Sequence, residues 1–273
     1  MCLLALAIGQ SRRFPLVLAA NRDERFDRPT AALDWWTPAP GDAAVLGGRD
    51  LEGGGTWFGL TQAGRLALVT NVRRPGAMAP GAPSRGAIVP AWLRHRGESD
   101  RFWRATAQSG HNPFNLVAAD LARGEAFWAS DDAAAPRRLE AGLYGVSNAA
   151  LDTPWPKVTA LKQRVAQAVA LSDSAEMLAG QLFAALADRS RPDDSALPAT
   201  GVTLELEREL SPAFILSPDR RYGTRCSTVL ICEEVGGQRS TRVIECSFSA
   251  DSSTPTQRHV ELRDWPPRHE PRH

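Results

Sequence analysis

Apolar positions recur along this chain in two rhythms. Near the start they run almost unbroken over Cys2–Ile8, and again over Leu16–Ala20 behind Pro15, as expected of strands buried on both faces. Thr56–Thr61 and Leu66–Asn71 read as two more strands that Gly64 turns into a hairpin, so the chain opens in antiparallel fashion. The pattern becomes helical over Gly86–Arg96 and Asp100–Ser109, then extended over Asn115–Asp120, Glu125–Ala129 and Gly142–Asn148. Helical spacing is sharpest next, with Val158, Leu161, Val165 and Val169 in Pro156–Leu171 and Leu178, Leu182 and Leu186 in Ala175–Ala187. Strands at Ala213–Leu216, Ser227–Glu233 and Arg242–Phe248 close the series. Strands and helices are segregated rather than alternating, which points to a layered α+β protein of two antiparallel sheets covered by helices on their outer faces.

Composition narrows the function classes. The 273 residues are 43% hydrophobic with a formal charge of +1, so the chain can bury a sizeable core and has no charge surplus that would draw it to nucleic acid. No linker-like shift interrupts residues 1–250, which read as one domain; residues 251–273, rich in Pro, Arg and His, read as a last short strand and a disordered tail. The apolar run behind Met1 lacks both a basic stretch before it and a small-residue cleavage site after it, and is read as a strand, not a secretory leader. No later stretch approaches the ~18 apolar residues of a membrane span. Cys2, Cys226, Cys232 and Cys246 form no CxxC pair and no zinc-like spacing with His. No metal, cofactor or disulfide framework is expected, and a reducing compartment, the cytoplasm, is the simplest home.

Cys2 is the first candidate for chemistry. Removing one residue would make its thiol and the chain's free amine neighbours, a nucleophile and a base on one residue, the amine having an ordinary pKa of ~7.7–8.0. A Cys opening a buried strand is otherwise just a small hydrophobe. Asn21-Arg22-Asp23-Glu24 closes the second strand, where the ordinary reading is a turn with solvated charges. If the first two strands pair antiparallel, however, that run lies beside Cys2. Asp23 would then orient the new terminal ammonium, and Arg22 or another guanidinium would favour thiolate. Asn71 and Asn148 also end strands; an amide NH2 suits an oxyanion because it donates without titrating, although Asn is common in turns.

Other motifs read as structural. Gly47-Gly48-Arg49-Asp50 and Gly53-Gly54-Gly55-Thr56-Trp57 match no phosphate-loop pattern and are read as tight turns leading into a strand. The tryptophans read mainly as packing. His95 and His111 have no carboxylate at triad-like spacing, which disfavours a Ser-His-Asp hydrolase.

A set of ordered motifs goes further. Met1-Cys2, Leu18-Ala19-Ala20-Asn21-Arg22-Asp23-Glu24, Arg28-Pro29-Thr30, the stretch from Gly47 to Gly59, Thr70-Asn71-Val72-Arg73, Ser84-Arg85-Gly86, Tyr144-Gly145-Val146-Ser147-Asn148-Ala149, Pro154-Trp155-Pro156-Lys157-Val158 and Tyr222-Gly223-Thr224-Arg225-Cys226-Ser227 together resemble the NRDE family, also called the transport and Golgi organisation protein 2 family. The likeness runs from residue 1 to about residue 250, with Cys226 where the family usually has Ser. That family is in turn similar to N-terminal nucleophile hydrolases of the choloylglycine hydrolase, penicillin V acylase and acid ceramidase type.

The resemblance implies a four-layer αββα sandwich, with Cys2 as nucleophile, Asp23 contacting its amine, Asn148 and Asn71 in the oxyanion site and Arg225 near the thiol. Asn21, Arg22, Glu24 and Trp57 would support the site or the substrate, Glu24 replacing the aromatic residue common in the hydrolases. The implied activity is hydrolysis of a linear, non-peptide amide or thioester of a lipophilic acyl group. The competing implication is a non-enzymatic carrier of a small lipophilic ligand or of haem, related to membrane traffic. The oligomeric state is left open.

Overall fold

The computed structural model describes residues 2–133, 135–250 and 254–268. The expected removal of Met1, and the parts of the expected last strand and tail that fall on 251–253 and 269–273, lie outside these residues. The elements follow the order β1 (Cys2–Ile8), β2 (Leu16–Arg25), β3 (Thr30–Trp36), β4 (Val45–Asp50), β5 (Phe58–Leu60), β6 (Arg65–Asn71), α1 (Ile88–Arg94), α2 (Ser99–Ala107), β7 (Phe114–Asp120), β8 (Glu125–Ser130), β9 (Arg137–Arg138), β10 (Gly142–Val146), α3 (Pro156–Leu171), α4 (Ala175–Leu186), α5 (Leu204–Glu209), β11 (Tyr222–Val235), β12 (Gln238–Ser247) and β13 (Thr256–Arg263). The strands form two antiparallel sheets, an α+β architecture. The chain divides into two compact units, each built on one sheet.

The first unit comprises the chain through Asp27, Arg73–Pro75 and Ala141–Arg263. Its sheet has the order β10-β1-β2-β11-β12-β13, so β1 is an interior strand with a neighbour on each side. This explains the unbroken apolar run: Leu3, Leu4 and Ala5 are fully buried. One sheet face, carrying Leu3, Ala5, Val17, Ala19, Val229 and Ile231, packs on Val158, Leu161 and Val165 of α3 and on Leu178 and Leu182 of α4. Each of the Leu, Val and Ile side chains contributes about 1.5–3 kcal/mol by leaving water. Pro156 starts α3 where a missing N–H is harmless, and Ser174 caps α4 by accepting the Met177 N–H at 3.1 Å. Both helices match the spacing read from the sequence.

The second unit comprises Arg28–Val72, Gly76–Glu140 and the chain from Asp264, on a sheet ordered β3-β4-β5-β6-β7-β8-β9. Val89, Trp92 and Leu93 of α1 pack on it with Val45, Ala67 and Phe114. Trp92 is pinned by its Nε1–H to the Leu66 carbonyl at 3.1 Å, with the Arg65 guanidinium 4.8 Å from its ring centroid.

Two local readings are corrected. Gly47–Asp50 is not a turn but the body of β4. The glycines serve close approach: a Cβ on Gly48 would lie 2.3 Å from the Trp57 ring, and one on Gly47 2.3 Å from the Phe58 carbonyl oxygen. The strand expected over Ala213–Leu216 is reduced to one bridge between Leu216 and Gly223. Pro212 and Pro218 flank the segment, and its N–H groups are satisfied singly, Phe214 by the Asp188 carbonyl and Ile215 by Thr224 Oγ1. No helix among the described residues is long and apolar enough to cross a membrane.

Candidate active site

β1 and β2 pair so that Cys2 stands opposite Arg22 and Leu3 opposite Asn21. Directly opposed residues share a face and successive residues alternate. The Asn-Arg-Asp-Glu run is therefore divided: Arg22 and Glu24 share the face of Cys2, while Asn21 and Asp23 share the face of Leu3. Asn21 is a clamp. Its Nδ2 donates to the carbonyls of Leu186 at 2.9 Å and Ala213 at 2.8 Å, and its Oδ1 accepts from Ser227 Oγ at 2.6 Å. These bonds tie the end of α4 to the sheet.

Cys2 is 8% exposed. Burial pushes its thiol upward, reinforced by the Asp23 carboxylate. The positive charge of the chain terminus, the Arg22 guanidinium and a hydrogen bond from the Asp23 backbone N–H act in the opposite direction. The net effect is a thiol held protonated at neutral pH, which attacks only with a proton acceptor at hand. Asp23 is also raised by burial, against the pull of the chain terminus, Lys157, Thr224 and Arg22. Its Oδ1 accepts from Thr224 Oγ1 at 2.8 Å. Arg22 is buried beside Cys2, with Glu24 Oε2 3.8 Å from its guanidinium.

β10 lies on the other side of β1, and the turn that follows it carries Ser147 and Asn148, both buried. Ser147 Oγ is 3.1 Å from the Cys2 carbonyl oxygen and 3.3 Å from Asn148 Oδ1. The Asn148 carbonyl accepts the Arg73 N–H at 2.7 Å. Cys2, Arg22, Asp23 and Asn148 thus come together in the first unit.

Arg225 occupies a β-bulge. Thr224 pairs with Asp23 and Cys226 with Arg22, leaving Arg225 as the extra residue. Its guanidinium donates to the carbonyls of Arg25 at 2.8 Å and Phe26 at 2.9 Å, where β2 ends. Asn71 and Trp57 belong to the second unit: Asn71 ends β6 opposite Phe114, and buried Trp57 accepts the Val69 N–H on its carbonyl at 2.9 Å. All four cysteines are free. Cys2 and Cys226 lie on strands either side of β2, some ~10 Å apart by strand spacing, beyond disulfide reach.

The structure adds residues to which the sequence reading gave no role. Lys157, second in α3, is buried and donates from Nζ to the Leu210 carbonyl at 2.8 Å. Burial lowers its pKa to about 8, assisted by Arg73 and opposed by Asp23, Cys2 and Glu207. Arg73 pairs with Glu207 Oε2 at 2.6 Å and stacks 5.2 Å from the Trp155 ring centroid. Glu207 Oε1 accepts from the Thr200 N–H at 2.9 Å and from Thr200 Oγ1 at 2.5 Å. One signal for Lys157 was present: of the 32 basic residues only Lys157 and Lys162 are lysines.

A family model described as Transport and Golgi organisation 2 matches residues 1–249. The Transport and Golgi organization protein 2 homolog of Bos taurus is 35% identical over 237 residues, covering 82% of this chain and 84% of that protein. The Homo sapiens homolog is 32% identical over 237 residues with the same coverage, 82% and 84%. The Drosophila melanogaster protein is 27% identical over 251 residues, covering 81% and 82%. Among solved structures, a C2A mutant of conjugated bile acid hydrolase from Clostridium perfringens overlaps with a TM-score of 0.47 at 8% identity, over 96% of this chain and 92% of that one. The Caenorhabditis elegans ortholog of N-acylethanolamine-hydrolyzing acid amidase also gives 0.47, at 11% identity over 84% and 92%.

Proposed function

Because this chain belongs to the transport and Golgi organisation 2 family, whose name specifies no reaction, we propose that it is a hydrolase that uses Cys2 as an N-terminal nucleophile on a linear amide or thioester of a lipophilic acyl group. One observation supports this above the others. A buried thiol at the start of an interior strand accepts the Asp23 N–H and shares a face with the Arg22 guanidinium opposite it. Four unbridged cysteines suit the reducing cytoplasm, where such a thiol stays available.

With Met1 removed, the neutral amine of Cys2 takes the thiol proton as sulfur attacks the acyl carbonyl carbon. The C–S bond forms and the carbonyl π electrons move to oxygen, where the side-chain NH2 of Asn148 donates to the oxyanion. Ser147 Oγ lies 3.3 Å from that amide and 3.1 Å from the Cys2 carbonyl oxygen, which holds Asn148 beside the nucleophile's strand. As the carbonyl re-forms, the C–N or C–S bond to the leaving group breaks and the ammonium of Cys2 protonates it. The amine then deprotonates a water that attacks the thioester, releasing the carboxylic acid and the thiol. Asp23, on the strand beside Cys2, orients the ammonium throughout.

A panel of fatty N-acyl amides, acyl-thioesters and haemin, assayed with parent and Cys2→Ala protein, tests the proposal. A hydrolase gives an acyl adduct on Cys2, and the alanine variant still binds acyl ligands while turnover drops by about 10³-fold or more. Haemin binding that depends on Cys2, with no hydrolysis across the panel, overturns it in favour of a carrier.

A further inference from the structure

Trp35 and Trp36 end β3 together and are used differently. Trp36 is pinned, its Nε1–H donating to the Gly47 carbonyl at 3.1 Å and the Arg49 guanidinium lying 5.0 Å from its ring centroid. Trp35 is half-buried, and among the described residues its indole makes neither a hydrogen bond nor a contact with another ring or a cation. It lines instead a cavity of about 400 Å³ at one end of the second unit's sheet. Three segments meet there: the β3–β4 connection, which supplies two alanines, the β5–β6 turn with Thr61, and the end of α1 with Leu93 and then Arg96. Arg65, at the start of β6, completes the wall.

That wall is held in place by the unit itself. Thr61 Oγ1 accepts the Arg65 N–H at 3.3 Å, and the Thr61 carbonyl accepts the Trp265 Nε1–H at 2.8 Å, so the turn is fixed from two directions. The buried Arg65 guanidinium donates to Asp120 Oδ2 at 2.9 Å and to the Trp92 carbonyl at 3.1 Å, and its charge is thereby balanced. Arg96 is different. It is exposed and makes no hydrogen bond or ion pair among the described residues, and no carboxylate lines the cavity among them. Asp34 and Asp42, on the same stretch of chain, are used elsewhere: Asp34 Oδ1 accepts the Trp35 backbone N–H at 2.8 Å, and Asp42 pairs with Arg94 at 3.5 Å. Burial lowers the Arg65 pKa against the pull of Asp120, and the like charges of Arg96 and Arg123 lower it further. The cavity thus carries one guanidinium more than it neutralises.

We infer that this cavity is a binding site for a small aromatic monocarboxylate, with the ring against Trp35 and Leu93 and the carboxylate on Arg96. Its volume falls within the range of about 300–1,000 Å³ usual for small-molecule sites. A flat ring stacks on an indole face, and the planar fork of a guanidinium matches a carboxylate. One unbalanced positive charge suits a monoanion better than a phosphate dianion. Every lining residue belongs to the second unit, and the inference does not rest on the chemistry of Cys2.

The probe is 2-naphthoate, titrated into the whole protein at low ionic strength by calorimetry and by 15N–1H NMR, with the Trp35 indole resonance identified by its loss in Trp35→Phe. Saturation with a Kd of about 1 mM or tighter is expected, with that resonance moving in step. The neutral analogue 2-naphthamide should bind about fivefold or more weakly, because it lacks the charge that meets Arg96. Arg96→Gln should weaken the acid by about the same factor and leave the amide unchanged, a split that a merely structural effect would not produce. Trp35→Ala should weaken acid and amide alike; should it fail to fold, the Arg96→Gln split and the Trp35 resonance decide. No saturation below about 10 mM, equal affinity for acid and amide, or an acid affinity that Arg96→Gln leaves at its parental value overturns the inference.

Discussion

Arg22 stands directly across the β1–β2 ladder from Cys2, and its guanidinium is buried on the same face as the thiol. Asp23, one residue on, turns to the opposite face yet returns its backbone N–H to the Cys2 sulfur. A single β-strand thus offers the Cys2 thiol a cation through one residue and a hydrogen bond through the next. Glu24, 3.8 Å from Arg22, tempers the cation from two residues further along.

Arg22→Leu is expected to raise the Cys2 pKa by about one unit, read as a shift of the iodoacetamide alkylation profile to higher pH. Arg225→Leu is expected to leave that profile in place and to lower stability by about 1–3 kcal/mol, through the stranded carbonyls of Arg25 and Phe26. An alkylation profile that answers to Arg225 and not to Arg22 would reverse their roles.

The active protein is expected to begin at Cys2. Intact-mass measurement of untagged material should show it one methionine lighter than the full translation product. An uncleaved N-terminal tag should abolish turnover with the circular dichroism spectrum unchanged. Full activity in protein that retains Met1 counts against the amine as base.

The pair Arg73–Glu207 is enclosed, with side chains 8% and 4% exposed. Arg73→Met leaves Glu207 as an uncompensated buried charge and should cost about 3–5 kcal/mol in urea unfolding, with part of the loss recovered in the Arg73→Met, Glu207→Gln double variant. Equal stability of the single and double variants would mean that the charges are not coupled.

Lys157 gives a pH dependence whose sign is fixed. Its folded-state pKa of about 8 lies below the ordinary 10.5, so between these values the unfolded chain binds more protons than the folded one. Its contribution to stability therefore rises with pH across that window and is least below pH 8. The stability of the parent relative to Lys157→Met should grow by about 3 kcal/mol from pH 8 to pH 10.5. A flat difference would show that Lys157 titrates as a free lysine.

What the sequence made legible follows from what each residue packs against. Interior β1 and helices α3 and α4 announced themselves because an uninterrupted apolar run and a repeat near 3.6 residues each have one simple packing solution. β4 did not, because Gly47 and Gly48 are there for the backbone and ring of neighbouring segments and carry no strand propensity of their own. The polar run at the end of β2 was visible as a cluster, but its division between two faces depends on register, which appears only once β1 is paired. Lys157 was present within a motif, yet nothing local distinguishes a lysine that enters the core from one that snorkels to water.

The bulge at Arg225 has a further consequence for how this stretch tolerates change. In a regular strand Thr224 and Cys226 would point the same way; one intervening residue out of phase lets Thr224 serve Asp23 on the helix side while Cys226 keeps company with Arg22 on the other. Position 225 is therefore a spacer before it is an arginine. Exchanging its side chain removes two hydrogen bonds, but deleting the residue would shift the reading frame of the whole strand against its neighbour, turning either the hydroxyl away from Asp23 or the apolar residues Val229 and Ile231 out of the core. In this segment geometry constrains length more strictly than identity.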